Sequence, residues 1–133
     1  MTRAEQVDAF LDEAGTFDFL TIEDGRPRGR VFGFHLLDGD RIYFGCGTFK
    51  EVYHQMEKNP YVEILAFKGN RFLRYDGKVR FVQDERLLKR TREILPAVMA
   101  LYDRDGHTMG LFTLEEGHAE IHDMMRTVES FDL

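Results

Sequence analysis

Two stretches of this chain carry cations where an anion could be held. The first runs Arg41-Ile-Tyr-Phe-Gly-Cys-Gly-Thr-Phe-Lys-Glu-Val-Tyr-His-Gln-Met-Glu-Lys-Asn-Pro60. It reads as a short strand, a glycine-flanked turn, a helix opened by Thr48 and carrying Lys50, and a stop at Asn59-Pro60. Thr48-x-x-Glu51 has the form of a capping box. A helix start turns backbone N–H groups and the positive end of the dipole outward, so a phosphate fits there. Lysine in a first turn opposes that dipole, and a bound anion would offset the conflict. The plain alternative is a solvated lysine.

The second stretch is Arg26-Pro27-Arg28-Gly29-Arg30. On a strand, residues 26, 28 and 30 share one face. Guanidinium groups crowded on one face repel one another unless they are solvated or meet an anion, and guanidinium grips phosphate in a bidentate way. The plain reading is an exposed edge on which Pro27 blocks further pairing. Gly29 and Gly33 add a hint of close approach by a ligand or another backbone. Together the two stretches point to a phosphate-bearing cofactor.

Other reactive residues carry less. His118-x-Glu120-x-His122 puts two histidines and a carboxylate on one strand face. Without a fourth ligand nearby it reads as a polar face, not a metal site. Cys46 reads as a small packed residue, because no Cys-His-carboxylate set accompanies it. His35 and His54 have no partner legible in the sequence. No side chain stands out as a catalytic acid or base.

These residues need a scaffold, and 133 residues suit one domain spanning 1–133. A net charge of −6 argues against a general nucleic-acid binder, which needs a basic face. The single cysteine excludes an internal disulfide. With no long apolar run and no targeting segment, a cytoplasmic protein with no membrane association is expected.

Thr2-x-x-Glu5 is a capping box ahead of a helix that Gly15 can end. Strands are expected over residues 17–22, 28–37 and 41–45, the last two joined by the Asp38-Gly39-Asp40 turn. Residues 61–67 are nearly all apolar and read as a strand buried on both faces. Residues 73–82 alternate, as in a strand with one wet face. Asp84 caps a third helix, Pro96 breaks it, and a short helix and a polar loop at 103–107 follow. Residues 109–114 and 118–122 read as two strands joined by a turn. About seven strands and three helices, joined mostly by hairpins, imply an antiparallel sheet closed or half-closed into a small barrel with peripheral helices.

With these residues in view, the chain resembles the small flavin-binding split-barrel proteins related to pyridoxamine 5′-phosphate oxidase. The resemblance rests on the succession Arg30-Val31-Phe32, a hairpin, Ile42-Tyr43-Phe44, Thr48-Phe49-Lys50 and a helix ending Glu57-Lys58-Asn59-Pro60. It implies a mainly β fold with peripheral helices, a six- to seven-stranded antiparallel split β-barrel. It also implies a homodimer with FMN in a groove between subunits, and an oxidoreductase acting on a small substrate. Arg30 and Lys50 would grip the FMN phosphate, with Arg28, Thr48 and Phe49 nearby. Val31, Phe32, Gly33, Phe44 and Gly45 would run along the isoalloxazine ring, and Arg74 would approach it. Deazaflavin and haem are the alternatives that relatives carry, and a non-enzymatic carrier or redox sensor is the rival role. Phe49 replaces a basic residue of the oxidase, His35 replaces a lysine, and the oxidase's arginine-rich C-terminal segment is missing. Oxidation of pyridoxamine phosphate itself is therefore not expected.

Overall fold

A computed structural model describes residues 1–133. Helix α1 (Arg3–Ala14) starts at a reciprocal capping box between Thr2 and Glu5, and buries Val7, Phe10 and Leu11. Strands β1 (Phe17–Glu23) and β2 (Arg26–Phe32) form a tight hairpin. Its turn residues Asp24 and Gly25 both have positive φ (51° and 74°), the conformation that suits a two-residue hairpin loop. Strands β3 (Leu36–Asp38) and β4 (Arg41–Gly47), helix α2 (Glu51–Lys58), and strands β5 (Tyr61–Lys68) and β6 (Arg71–Val82) follow. Helix α3 (Glu85–Ile94) is capped by Asp84, which accepts from the N–H groups of Arg86 and Leu87. Pro96 opens α4 (Pro96–Asp105) at a position where its missing N–H costs nothing. Strands β7 (Met109–His122) and β8 (Thr127–Asp132) complete the chain.

All eight strands join one antiparallel sheet in the order β2-β1-β5-β6-β7-β4-β3, with β8 beside β7. The sheet is not closed: β2 and β3 are its two ends. This is the expected split barrel, mainly β with helices outside; it has one strand more than the sequence reading, and α4 is the short helix expected after Pro96.

The core uses phenylalanine where many proteins would use tryptophan. Phe19 stacks on Phe32 at 4.8 Å, and Phe44 tilts against Phe112 at 5.7 Å. Phe17, Phe19, Phe44 and Phe112 are at most 2% exposed, so these rings form the centre that aligns the two strand ends. No helix is long and apolar enough to cross a membrane.

Four expectations need correction. Residues 28–37 are not one strand. The chain leaves β2 after Phe32, crosses to the opposite end of the sheet, and re-enters as β3. His35 holds that crossing to α1, its Nδ1 2.6 Å from Asp8 and its Nε2 3.0 Å from Asp12. Strand β5 is buried on one face only: Val62, Ile64 and Ala66 point inward, while Tyr61 and Phe67 are more than half exposed. The presumed turn at 115–117 lies inside continuous β7, where a register shift opposite Gly77 absorbs the positive φ of Glu116. A Cβ on Gly77 would stand 2.9 Å from the Glu115 carbonyl, so glycine there lets the strand run on. The polar loop at 103–107 is largely helix, because α4 continues to Asp105.

Candidate functional site

Strand β2 pairs with β1 so that Phe17 faces Phe32, Phe19 faces Arg30 and Thr21 faces Arg28. Opposed residues share a sheet face, so the three arginines lie on the face of Phe17, Phe19 and Thr21. Arg30 folds back over β1. Its Nη1 donates to the Phe19 carbonyl (3.0 Å), to Thr21 Oγ1 (2.8 Å) and to the Arg28 carbonyl (3.1 Å). Its Nη2 donates to Gln55 Oε1 on α2 (2.7 Å). Gln55 is buried, accepts from the Thr21 hydroxyl (2.5 Å), and donates through Nε2 to Glu23 (3.2 Å). Burial lowers the Arg30 pKa, and Cys46, Glu23 and Glu51 partly oppose this. The guanidinium stays charged, since arginine titrates far above neutrality.

Lys50, like Arg30, is near enough to Cys46 to act on its charge. Arg30 and Lys50 both favour the Cys46 thiolate, yet burial dominates and pushes the thiol up to about 11. Cys46 is thus a neutral buried thiol that feels two cations. Lys50 is exposed and makes no ion pair. It is itself the N-cap of α2, with φ −82° and ψ 152°. The expected Thr48–Glu51 capping box does not form. The Thr48 N–H is taken by the Thr108 carbonyl at 2.9 Å, which extends the β4–β7 ladder and places Thr48 before the helix instead of at its cap. Phe49 is half-exposed and stacks on His107 at 3.8 Å.

The remaining expected residues fall into three groups. Val31 is 64% exposed on the outer face of β2, and Arg28 is exposed and paired with Glu23 at 3.3 Å. Phe32 and Phe44 put their rings in the core, so only their backbones are open to a ligand. Gly45 is required by packing, because a Cβ there would meet Met109 Sδ at 2.9 Å, whereas Gly33 has open space. Arg74 is paired with Glu63 at 3.3 Å and lies opposite Glu120 on β7. Cys46 lies opposite Gly110. Within one chain, then, Arg74 is not brought to Arg30 and Lys50.

The fold adds two features. Strand β2 pairs only with β1, and β3 covers only Arg41 to Tyr43 of β4. The outer edge of β2, and that of β4 from Phe44 onward, therefore carry unpaired backbone groups at the opening of the barrel. Gln55 and Thr21 are the residues that sequence reasoning missed. The signal available was a polar Gln55 on the same helical face as Val52 and Met56.

Beyond Thr48 lies a cavity of about 730 Å³ between the ends of β4, β6 and β7 and the start of α3. His118 and His122 lie elsewhere, bonded to Asp132, Ser130, Glu120 and Thr127 along β7 and β8.

Comparison with known proteins agrees with this architecture. The family described as Pyridoxamine 5′-phosphate oxidase matches residues 4–122. The chain belongs to that family. Among solved structures, a NimC/NimA family protein from Clostridium acetobutylicum superposes with a TM-score of 0.86 at 26% identity, covering 98% of this chain and 93% of that one. A heme binding protein from Mycobacterium smegmatis gives a TM-score of 0.71 at 14% identity, over 99% of this chain and 58% of that one. HutZ, the heme storage protein from Vibrio cholerae, gives 0.64 at 14% identity, over 92% and 95%. The last two likenesses concern the fold alone. No curated protein matches the sequence.

Proposed function

We propose that this pyridoxamine 5′-phosphate oxidase family member binds a flavin, FMN before deazaflavin, at the barrel opening, and serves as an oxidoreductase for a small substrate. One observation carries the reading: Arg30, fixed by Gln55, and the unpaired Lys50 both act on the same buried cysteine, beside two unpaired strand edges. Two cations suit a phosphate. Free backbone edges suit the polar rim of an isoalloxazine. When bound, the flavin supplies the hydride or electron chemistry. Arg30 and Lys50 hold its phosphate, and the edges of β2 and β4 orient its ring.

The second subunit is part of the proposal. Ile22, Val31 and Tyr61 are exposed apolar residues on the outer side of β2-β1-β5. Ile22 and Tyr61 line a cavity of about 510 Å³ together with Leu20 and Pro27, with Glu63, Asp76, Lys78 and Glu116 also on its lining. Such a surface suits a homodimer contact. A dimer would also be the means of bringing a distant residue such as Arg74 to a cofactor.

The haem-binding neighbours favour a second reading, a haem or flavin carrier without turnover. The visible spectrum of the purified protein, before and after adding FMN and desalting, separates the two. Retained flavin bands are expected, and Lys50→Glu should weaken retention about tenfold or more while leaving the melting temperature in place. A haem-like band would replace the flavin reading with the carrier, and a protein that sheds FMN with intact Lys50 would end it.

A further inference from the structure

The cavity beyond Thr48 is built like a ligand pocket. Phe81, Leu88, Met109 and Leu111 give it an apolar lining, and Tyr53 tilts against Phe81 at 4.6 Å. Gly110 makes room for that wall, because a Cβ there would stand 2.6 Å from the Tyr53 ring and 3.1 Å from the Thr48 methyl. The polar groups on the lining are the Thr48, Tyr53 and Thr108 hydroxyls, the Gln83 amide, and the carboxylates of Asp84 and Glu85, so only half of its residues are apolar. An apolar wall faced by groups that can hydrogen-bond gives a small molecule both contact area and orientation.

Charge narrows the class of ligand. The only charged residues on the lining are Asp84 and Glu85, both acidic. Asp84 spends its Oδ1 on two N–H groups of α3, while Glu85 makes no ion pair. Burial and the neighbouring Glu57 raise the Tyr53 phenol, so it remains a neutral hydrogen-bond donor. An anion would meet two carboxylates and no cation on this lining, and a cation would meet its complement. Aromatic walls add an attraction for flat rings and for cations.

We propose that this cavity is the substrate pocket, and that it takes a small planar aromatic compound bearing a positive charge, with Glu85 as its counter-ion. The proposal rests on the cofactor reading only for the word substrate: Thr48 is both the wall of this cavity and the neighbour of Lys50. The pocket holds such a compound whether or not a flavin is bound.

The test uses the full chain as purified and three probes of one shape: benzylammonium, benzyl alcohol and benzoate. Amide and side-chain NMR shifts report where each binds. Benzylammonium should saturate shifts at Tyr53, Gln83, Leu88 and Gly110, benzyl alcohol should bind more weakly, and benzoate should leave them in place. Glu85→Gln should weaken benzylammonium up to about fivefold, the range of a partly exposed ion pair, and leave benzyl alcohol unchanged. Equal binding of benzoate, shifts confined to other residues, or full benzylammonium affinity in Glu85→Gln would overturn the pocket assignment. The flavin spectrum of the same samples keeps the two readings apart: benzylammonium bound without flavin retention counts against the cofactor alone, and flavin retained without benzylammonium counts against this pocket alone.

Discussion

Arg30 Nη2 donates to Gln55 Oε1 at 2.7 Å, across the width of β1. This bond ties the strand that brings one cation to the helix whose N-cap is the other, Lys50. Thr21 shares the same amide oxygen at 2.5 Å, so one buried glutamine serves two donors. The spacing between the two cations is thus set by a side chain that need not touch any ligand.

Gln55→Leu should remove that acceptor and leave a partly buried guanidinium and a buried hydroxyl short of a partner. A loss of about 1–3 kcal/mol in urea unfolding is expected, together with weaker flavin retention. Gln55→Glu keeps the acceptor for Arg30 but loses the donor to Glu23 and sets two carboxylates face to face, so it should recover only part of the stability, and more at pH 4 than at pH 7. Wild-type stability in Gln55→Leu would refute the coupling.

Cys46 should resist thiol reagents at pH 8 in the native protein and react on unfolding, because burial holds its pKa at about 11. The group is an acid whose folded pKa is raised above its ordinary value near 9.0. The folded state therefore keeps its proton longer than the unfolded state. Its contribution to stability is complete below about pH 9 and falls as pH rises toward 11. Cys46→Val should flatten that alkaline loss, and rapid native labelling would contradict the burial.

Asp38 receives a forked bond from Arg86, Nη1 to Oδ1 at 2.9 Å and Nη2 to Oδ2 at 2.6 Å, and a further bond from Arg90 at 3.2 Å. The fork lowers the Asp38 pKa. A depressed carboxylate contributes stability above its unfolded pKa and loses it as pH falls through the folded value. Asp38→Asn should lose this acid-sensitive part, so its urea midpoint should change less than wild type between pH 5 and pH 3. Identical slopes would show that the pair is solvated and inert.

The outer face of β2-β1-β5 should be the dimer surface. Val31 and Tyr61 are 64% and 57% exposed, and the double variant Val31→Asp/Tyr61→Asp should turn a dimer into a folded monomer. Light scattering coupled to gel filtration reads the mass directly. A wild-type monomer, or a variant that stays dimeric, would remove this face from the proposed assembly.

Much of the scaffold was legible because its signals are local. The Thr2–Glu5 capping box, the Asp24-Gly25 and Asp38-Gly39 turns, the Asp84 cap and the Pro96 start each depend on a few adjacent residues. Local signals misled where a distant partner prevailed. Thr48 and Glu51 have capping-box spacing, but the Thr108 carbonyl claims the Thr48 N–H. Residues 28–37 read as one long strand, but the chain leaves β2 after Phe32 and His35 bonds to Asp8 and Asp12 of α1. Glu115-Glu116-Gly117 has turn composition, but Gly77 across the ladder lets β7 continue.

The two cations, the order of elements around them and the family pattern could be read without a structure, because charge and short-range spacing are written in the residues. The lock of Arg30 on Gln55, the nearness of both cations to Cys46 and the unpaired edges of β2 and β4 came only with folding. Each of these depends on contacts between residues far apart in the chain. They form only when the sheet curls around its phenylalanine core and stops short of closing.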